Sequence, residues 1–423
     1  MTDASIEAVT AREILDNRLE PTLRVTVETA AGTGRADVPR GRSRGDHEAV
    51  DLRDGGDRYR GRGVRQAAAN VEDRIAPALV GHDATAQRTV DARLDALDDP
   101  DDPLGGNAIT GVSLATLRAG AAAADQPLYR YVGGADTHVL PLPFFDLIEG
   151  GELAGGDLPF QEHQVVPVGA DSVAEAVRMA AEVYYELGDI VRAEYGEASL
   201  NVGAEGGYNP IGVDDPRTAF DLELRAIEAC GYDGEFALAA DVAASHFYDP
   251  ETGTYALLGD RLSRAELLAF YEELVDTYPV VSLEDPLDQN DFDGYADLTD
   301  RLDVQIVGDD LFVTTPERLR RGIDRGAATA LLWKVNQVGT VTAAREASRV
   351  ATRNGYAVQV SERSGQTPDT WLADLAVGLG AGQIKTGVTR GERTEQYNRL
   401  LEIEAELGDA ATFGPPAEGV LDP

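Results

Sequence analysis

The sequence predicts an α/β protein. An eight-fold strand–helix barrel over residues 136–423 follows a smaller α+β domain over residues 1–135. Three observations predict it. Beyond residue 170, short apolar runs alternate with helical segments, which implies a sheet built from parallel βαβ crossovers. The stretch that carries them is long enough for eight such units. Successive runs also end on charged residues, namely Asp241, Glu284, Asp309, Lys334, Arg363 and Lys385. Charged groups at the C-terminal ends of barrel strands converge on one mouth, where barrel active sites lie.

The elements follow in order. Residues 22–29 alternate around Leu23, Val25 and Val27 and read as a strand. Residues 67–79 and 109–124 read as alanine-rich helices, and the acidic, proline-containing stretch 98–103 as a solvated loop. A Gly133-Gly134 turn leads into Val139-Leu140-Pro141-Leu142-Pro143, the expected domain boundary. Ser172 and Glu175 have capping-box spacing. Val173, Val177, Ala180, Tyr184 and Leu187 then share one helical face, and Gly188 marks the expected stop. Barrel strands are expected at 236–239, 280–283, 304–307, 330–333, 357–360 and 383–384.

Composition narrows the function. Apolar residues make up 43% of the chain, enough for a large core, and the net charge is −38. Of 37 basic residues only Lys334 and Lys385 are lysines. An acidic, lysine-poor chain suggests adaptation to high salt, where screening makes self-repulsion tolerable, and a GC-rich codon bias would also favour arginine over lysine. The dispersed negative charge argues against nucleic acid as a partner. Cys230 is the single cysteine, so no disulfide framework or cysteine metal site is expected. Without an apolar leader or an 18-residue apolar run, a cytoplasmic protein with no membrane partner is expected. Lysine is irreplaceable where a neutral amine must take a proton or a compact charge must fit a tight site. Both lysines end apolar runs, which marks them as candidates for chemistry.

The motifs, in order, resemble the enolase family, whose members interconvert 2-phosphoglycerate and phosphoenolpyruvate. They are Ala11-Arg12-Glu13-Ile14-Leu15-Asp16, His47-Glu48-Ala49, Gly106-Asn107-Ala108-Ile109, Gln161-Glu162, Glu205-Gly206-Gly207, Glu284-Asp285-Pro286, Gly308-Asp309-Asp310, Lys334-Val335-Asn336-Gln337, Arg363-Ser364-Gly365 and Ile384-Lys385-Thr386-Gly387. The resemblance implies an enolase-like barrel behind an α+β capping domain. It implies that Asp241, Glu284 and Asp309 hold Mg²⁺, as suits three hard carboxylates, with Ser43 serving a second ion from a mobile loop. It implies Lys334 as the base at C2, its basicity lowered by Mg²⁺ and Lys385. The ion would stabilise the ene-diolate, a strategy this superfamily is known for. Glu205, with Glu162 beside it, would assist departure of the 3-hydroxyl. Gln161, Arg363, Ser364 and Lys385 would bind the substrate, a small phosphorylated carboxylic acid. A homodimer or higher homo-oligomer is expected.

The chain departs from the family pattern at several places. The loop around Ser43 is Arg40-Gly41-Arg42-Ser43-Arg44-Gly45, where small neutral residues are usual. Leu153 and Glu362 stand where the family has histidines, Gly156 where it has asparagine, and Ala204 where it has an acid. Three readings follow. Loop arginines replace the lost positive charge, with Glu362 anchoring one of them. Alternatively, a paralogue dehydrates another 2-phospho- or 2-hydroxy-acid. The third reading is an inactive homologue with a binding role.

Overall fold

The computed structural model describes residues 4–414 and Leu421. Strands β1 (Ile6–Leu15), β2 (Pro21–Thr29) and β3 (Gly32–Asp37) form an antiparallel meander. Leu23, Val25 and Val27 are fully buried on one face of β2, as period-two alternation requires. The helix Gly106–Ala123 covers that sheet and is buried along nearly its whole length. Gly34 permits this approach, because a side chain there would strike Ala115 and Ala119. The helix expected over 67–79 is divided: two short α segments flank a π turn at Val71–Ile75.

The second part is a closed eight-stranded barrel. Its strands are β4 (Leu142–Glu149), β5 (Glu162–Val166), β6 (Ala237–Asp241), β7 (Val280–Glu284), β8 (Gln305–Gly308), β9 (Ala330–Trp333), β10 (Ala357–Ser361) and β11 (Gly382–Lys385). From β6 onward every step is parallel and β11 closes on β4. The expected all-parallel sheet is corrected at β5, which runs antiparallel to both neighbours. The β4–β5 connection is rich in glycine and holds one 3₁₀ turn, so no helix carries the chain back for a parallel return.

Helices pack outside the strands. The one expected to stop at Gly188 runs Val173–Tyr195 and ends at Gly196, whose φ is 84°. Gly188 lies inside it because a Cβ there would come within 2.5 Å of the Tyr208 hydroxyl. Ser172 Oγ accepts the Glu175 N–H at 3.1 Å, while the Glu175 carboxylate takes the Asp171 N–H at 3.2 Å. Among the described residues no helix is long and apolar enough to cross a membrane.

Candidate active site

Barrel register builds the site. Glu149 pairs with Glu162, Glu162 with Asp241, and Asp241 with Glu284. Four acids therefore stand side by side across β4 to β7 at one end of the barrel. Adjacent like charges repel, and Lys385 reaches into the row from the end of β11 and offsets three of its four members. Its Nζ lies 2.6 Å from Glu284, 3.0 Å from Glu162 and 3.3 Å from Asp241. Burial works against the ammonium charge, but these carboxylates hold its pKa well above the ordinary lysine value.

Lys334 follows β9, and its Nζ donates to Asp309 at 2.5 Å. Burial opposes its charge and Arg363 and Lys385 oppose it further, yet Asp309 and Glu284 outweigh them and its pKa is raised. The expected lowering of Lys334 basicity by Lys385 is thus present but overridden by Asp309. Asp309 is fixed from two sides. Gln337 donates to its other oxygen at 2.6 Å, and the Asp309 N–H donates to Asp285 at 3.0 Å. Asp285 also accepts from the Asp310 N–H at 2.7 Å and the Tyr295 hydroxyl at 2.9 Å.

Gln161 donates to Asp241 at 3.0 Å. Glu205 is buried, and its N–H donates to Glu149, which also accepts the Gly207 N–H at 2.6 Å. Burial and Glu205 push Glu149 up to about 8. Burial, with Glu205 and Asp241 beside it and Lys385 opposing, lifts Glu162 to about 7. Asp146 is fully buried with neither carboxyl oxygen hydrogen-bonded, and burial drives its pKa well above the carboxylate range.

Arg363 is 4% exposed and held as a fork. Its Nη1 donates to Glu48 and Asn336, both at 3.0 Å, and its Nη2 to Glu48 at 2.9 Å and the Ser43 carbonyl at 3.2 Å. Ser364 Oγ accepts the Arg42 N–H at 2.6 Å, so loop 40–45 rests directly on this end of the site. The expectation that Glu362 anchors a loop arginine is corrected. Glu362 is buried against Arg393 from the helix Gly391–Leu407 and accepts the Thr386 hydroxyl at 3.0 Å. Arg40 instead bonds Glu20 at 2.9 Å, and Arg44 the Ala49 carbonyl at 2.7 Å. Leu153 is buried, an apolar wall where a histidine is usual in the family.

Gln161, Glu162, Glu205, Asp241, Glu284, Asp309, Lys334, Arg363, Ser364 and Lys385 lie around this mouth, and of Ser43 the backbone carbonyl reaches it through Arg363. The structure adds Glu48, Asp146, Glu149, Asp285 and Arg393. Glu48 and Asp285 were within quoted motifs, whereas Asp146 and Glu149 sit in an apolar run that reads as core.

The donor set fits a hard divalent cation, because Asp241, Glu284 and Asp309 end adjacent strands and Glu284 Oε1 is buried without a hydrogen-bond partner. Their arrangement is divided between two ammoniums, Lys385 on Asp241 and Glu284 and Lys334 on Asp309. Among the described residues, the acid trios whose oxygens all lie within 4.8 Å are Asp146, Glu162 and Glu205, and Asp285, Asp309 and Asp310.

Comparison with known proteins matches residues 6–132 to the family described as enolase, N-terminal domain. Residues 137–418 match the enolase C-terminal TIM barrel domain. The chain is 54% identical to the enolase of Methanopyrus kandleri over 97% of this chain and 98% of the relative. It is 50% identical to the enolase of Pyrococcus furiosus over 96% of each. It is also 50% identical to that of Methanocaldococcus jannaschii, over 95% of this chain and 96% of the relative.

Proposed function

The chain belongs to the enolase family, and from that premise we propose that it is a metal-dependent lyase converting 2-phosphoglycerate reversibly to phosphoenolpyruvate. One observation carries the reading. The only two lysines of the chain both stand in the barrel mouth, each bonded to acids that could bind a cation.

A divalent cation, in our assignment Mg²⁺ held by Asp241, Glu284 and Asp309 with Ser43 serving a second, would supply Lewis-acid stabilisation of charge building on the substrate carboxylate. Lys334 takes the C2 proton in its neutral form, so its bond to Asp309 opens first. Burial, Arg363 and Lys385, which already disfavour its charge, then govern its basicity. Lys385 turns its ammonium from the acid row to the substrate carboxylate. Glu205 gives a proton to the departing 3-hydroxyl, and Glu162, at about 7, holds one beside it. Gln161 steadies Asp241, while Arg363 and Ser364 border the phosphate end.

We place the domain boundary at residues 135–136, and assign the protein to a high-salt cytoplasm as a homo-oligomer. The charge of −38 and the loss of lysine support the salt assignment. Buried Leu153 and the Glu362–Arg393 pair favour a second reading, a paralogue acting on another 2-phospho- or 2-hydroxy-acid. Phosphorus NMR of the protein with 2-phosphoglycerate and Mg²⁺ in concentrated KCl decides between them. Phosphoenolpyruvate should accumulate and should cease when the metal is chelated. Folded, metal-saturated protein that leaves 2-phosphoglycerate untouched would refute the first reading.

A further inference from the structure

Asp91 and Ser113 lie in the N-terminal domain, on the helices Gln87–Leu97 and Gly106–Ala123, and both are buried. Ser113 Oγ donates to Asp91 at 2.7 Å, and Gln87 Nε2 donates to the same carboxyl oxygen at 2.9 Å. Together they meet the start of a barrel helix, Val341–Arg353.

The first backbone N–H groups of a helix have no partner within it. Here three in succession are satisfied from outside. Ser113 Oγ accepts the Val341 N–H at 2.9 Å, and Asp91 the Thr342 N–H at 2.9 Å. The preceding Thr340 Oγ accepts the Ala343 N–H at 3.3 Å. Two of the three caps thus come from the other domain. The Asp91 carboxylate also stands where the partial positive charge of a helix start favours an anion.

That helix start is coupled to the base. Trp333, which directly precedes Lys334, is fully buried, and its Nε1 donates to the Ala344 carbonyl at 2.7 Å. Between Lys334 and Val341 the chain makes one short helical turn, Val335–Val338, and then passes through Gly339 at φ 95°. Thr314 holds this stretch from the barrel. Its Oγ accepts the Lys334 N–H at 2.9 Å and donates to Gln337 at 2.7 Å. Further ties run to the N-terminal domain. The Gln337 carbonyl accepts the Ala49 N–H at 2.8 Å, and Asn336 Nδ2 donates to the Pro39 carbonyl at 3.2 Å. A catalytic group works only when it is held within about 0.5 Å of its productive place.

We infer that Asp91 and Ser113 are positioning residues for Lys334. They grip the first turn of the helix Val341–Arg353, and through Trp333 and residues 335–340 that grip sets where the amine stands. Neither touches the substrate. The inference rests on the proposed reaction for the role of Lys334 as base. It gives the N-terminal domain a part in proton transfer that is separate from covering the site.

The test uses the full-length protein and the variants Asp91→Ala, Ser113→Ala and Asp91→Asn, in concentrated KCl with Mg²⁺. Each is read three ways: steady-state kinetics on 2-phosphoglycerate, exchange of its C2 hydrogen with deuterated solvent, and backbone amide exchange by mass spectrometry. Asp91→Ala and Ser113→Ala should lower kcat about ten- to a hundredfold, the loss expected from a misplacement of about 1 Å. KM should change less than about threefold, and C2 exchange should fall in step with kcat. Amides of residues 334–344 should exchange at least about tenfold faster, while those of β6 do not change. Asp91→Asn keeps one acceptor oxygen and should recover part of each loss. If a folded variant melts earlier but keeps kcat and C2 exchange within about twofold, the pair only stabilises the fold and the assignment is wrong. Where Asp91→Ala does not fold, Ser113→Ala, which leaves Asp91 its bond to Thr342, decides by the same criteria. If the unmodified protein leaves 2-phosphoglycerate untouched, the proposed reaction falls, and amide exchange decides the grip. Faster exchange at 334–344 in the variants then upholds it, and unchanged exchange overturns it.

Discussion

Replacing Arg393 by methionine tests how the rebuilt edge of the site is held. Arg393 is fully buried, pairs with buried Glu362, and donates to the carbonyls of Arg363 at 2.8 Å, Ser364 at 2.9 Å and Ala204 at 3.3 Å. Arg393→Met keeps most of the side-chain length but strands Glu362. Removing one partner of a buried pair costs about 3–5 kcal/mol. Three carbonyls losing their donor place this case near the upper end, about 5 kcal/mol. The loss should depend on pH. Burial already pushes the Glu362 pKa well above its usual value, and Arg393 is the main group pulling it down. Without that arginine the carboxyl keeps its proton to higher pH. The folded state then binds more protons than the unfolded one, and the penalty grows as pH rises. Urea unfolding at pH 5.5 and pH 8, at fixed KCl, should show the larger loss at pH 8. Adding Glu362→Gln should recover at least about half of it, because no charge remains to be stranded. A single variant losing less than about 1 kcal/mol, or a double variant no better than the single, would show that the pair does not hold this edge.

Further outcomes are expected. Glu223 is fully buried with both carboxyl oxygens unpartnered, and burial raises its pKa well above the usual value. Stability should therefore fall by up to about 1.4 kcal/mol per pH unit above the unfolded pKa. Glu223→Gln should remove that slope, and an identical pH dependence in the variant would mean the group titrates normally. Lys334→Ala should lower kcat at least ~10³-fold and abolish exchange of the C2 hydrogen with deuterated solvent. Persistent exchange would move the base to another residue. The melting temperature should drop as KCl falls from molar to about 0.1 M, where the Debye length grows to about 10 Å, and added Mg²⁺ should restore part of it. A salt-independent melt contradicts the high-salt adaptation.

Six strand ends of the mouth were legible because a barrel repeats. Charged residues that terminate apolar runs at intervals near one strand–helix unit have one geometric reading. The reversed β5 was legible in principle. Residues 150–161 are rich in glycine, contain Pro159 and lack helical period, which suits a hairpin and not a crossover. Asp146 and Glu149 were hidden because carboxyls in an apolar strand resemble noise until register pairs Glu149 with Glu162 and the closed barrel brings Asp146 near Glu162 and Glu205. Arg393 was hidden for another reason. Its partner lies 31 residues earlier on a different element, and no periodicity links a helix residue to a strand end. The role of Gly188 was misjudged because a glycine within a helical pattern reads the same whether it ends the helix or makes room for a ring.

The hairpin between β4 and β5 has a consequence for how this scaffold can vary. Its base is tied by the Gly150 N–H to Gln161 at 3.0 Å and the Gly151 N–H to Leu158 at 2.9 Å. Both of its stems end in the acid row, and it carries Leu153, which is buried. In an ordinary βα unit, changing the loop alters the seat of the helix that follows. Here no helix hangs on the connection, so a change within residues 152–157 acts instead through the Leu153 carbonyl, which accepts the Ala204 N–H at 3.0 Å. The hairpin thus touches the site at Ala204, next to Glu205, while the flanking strands keep their own register from Glu149 and Glu162 inward.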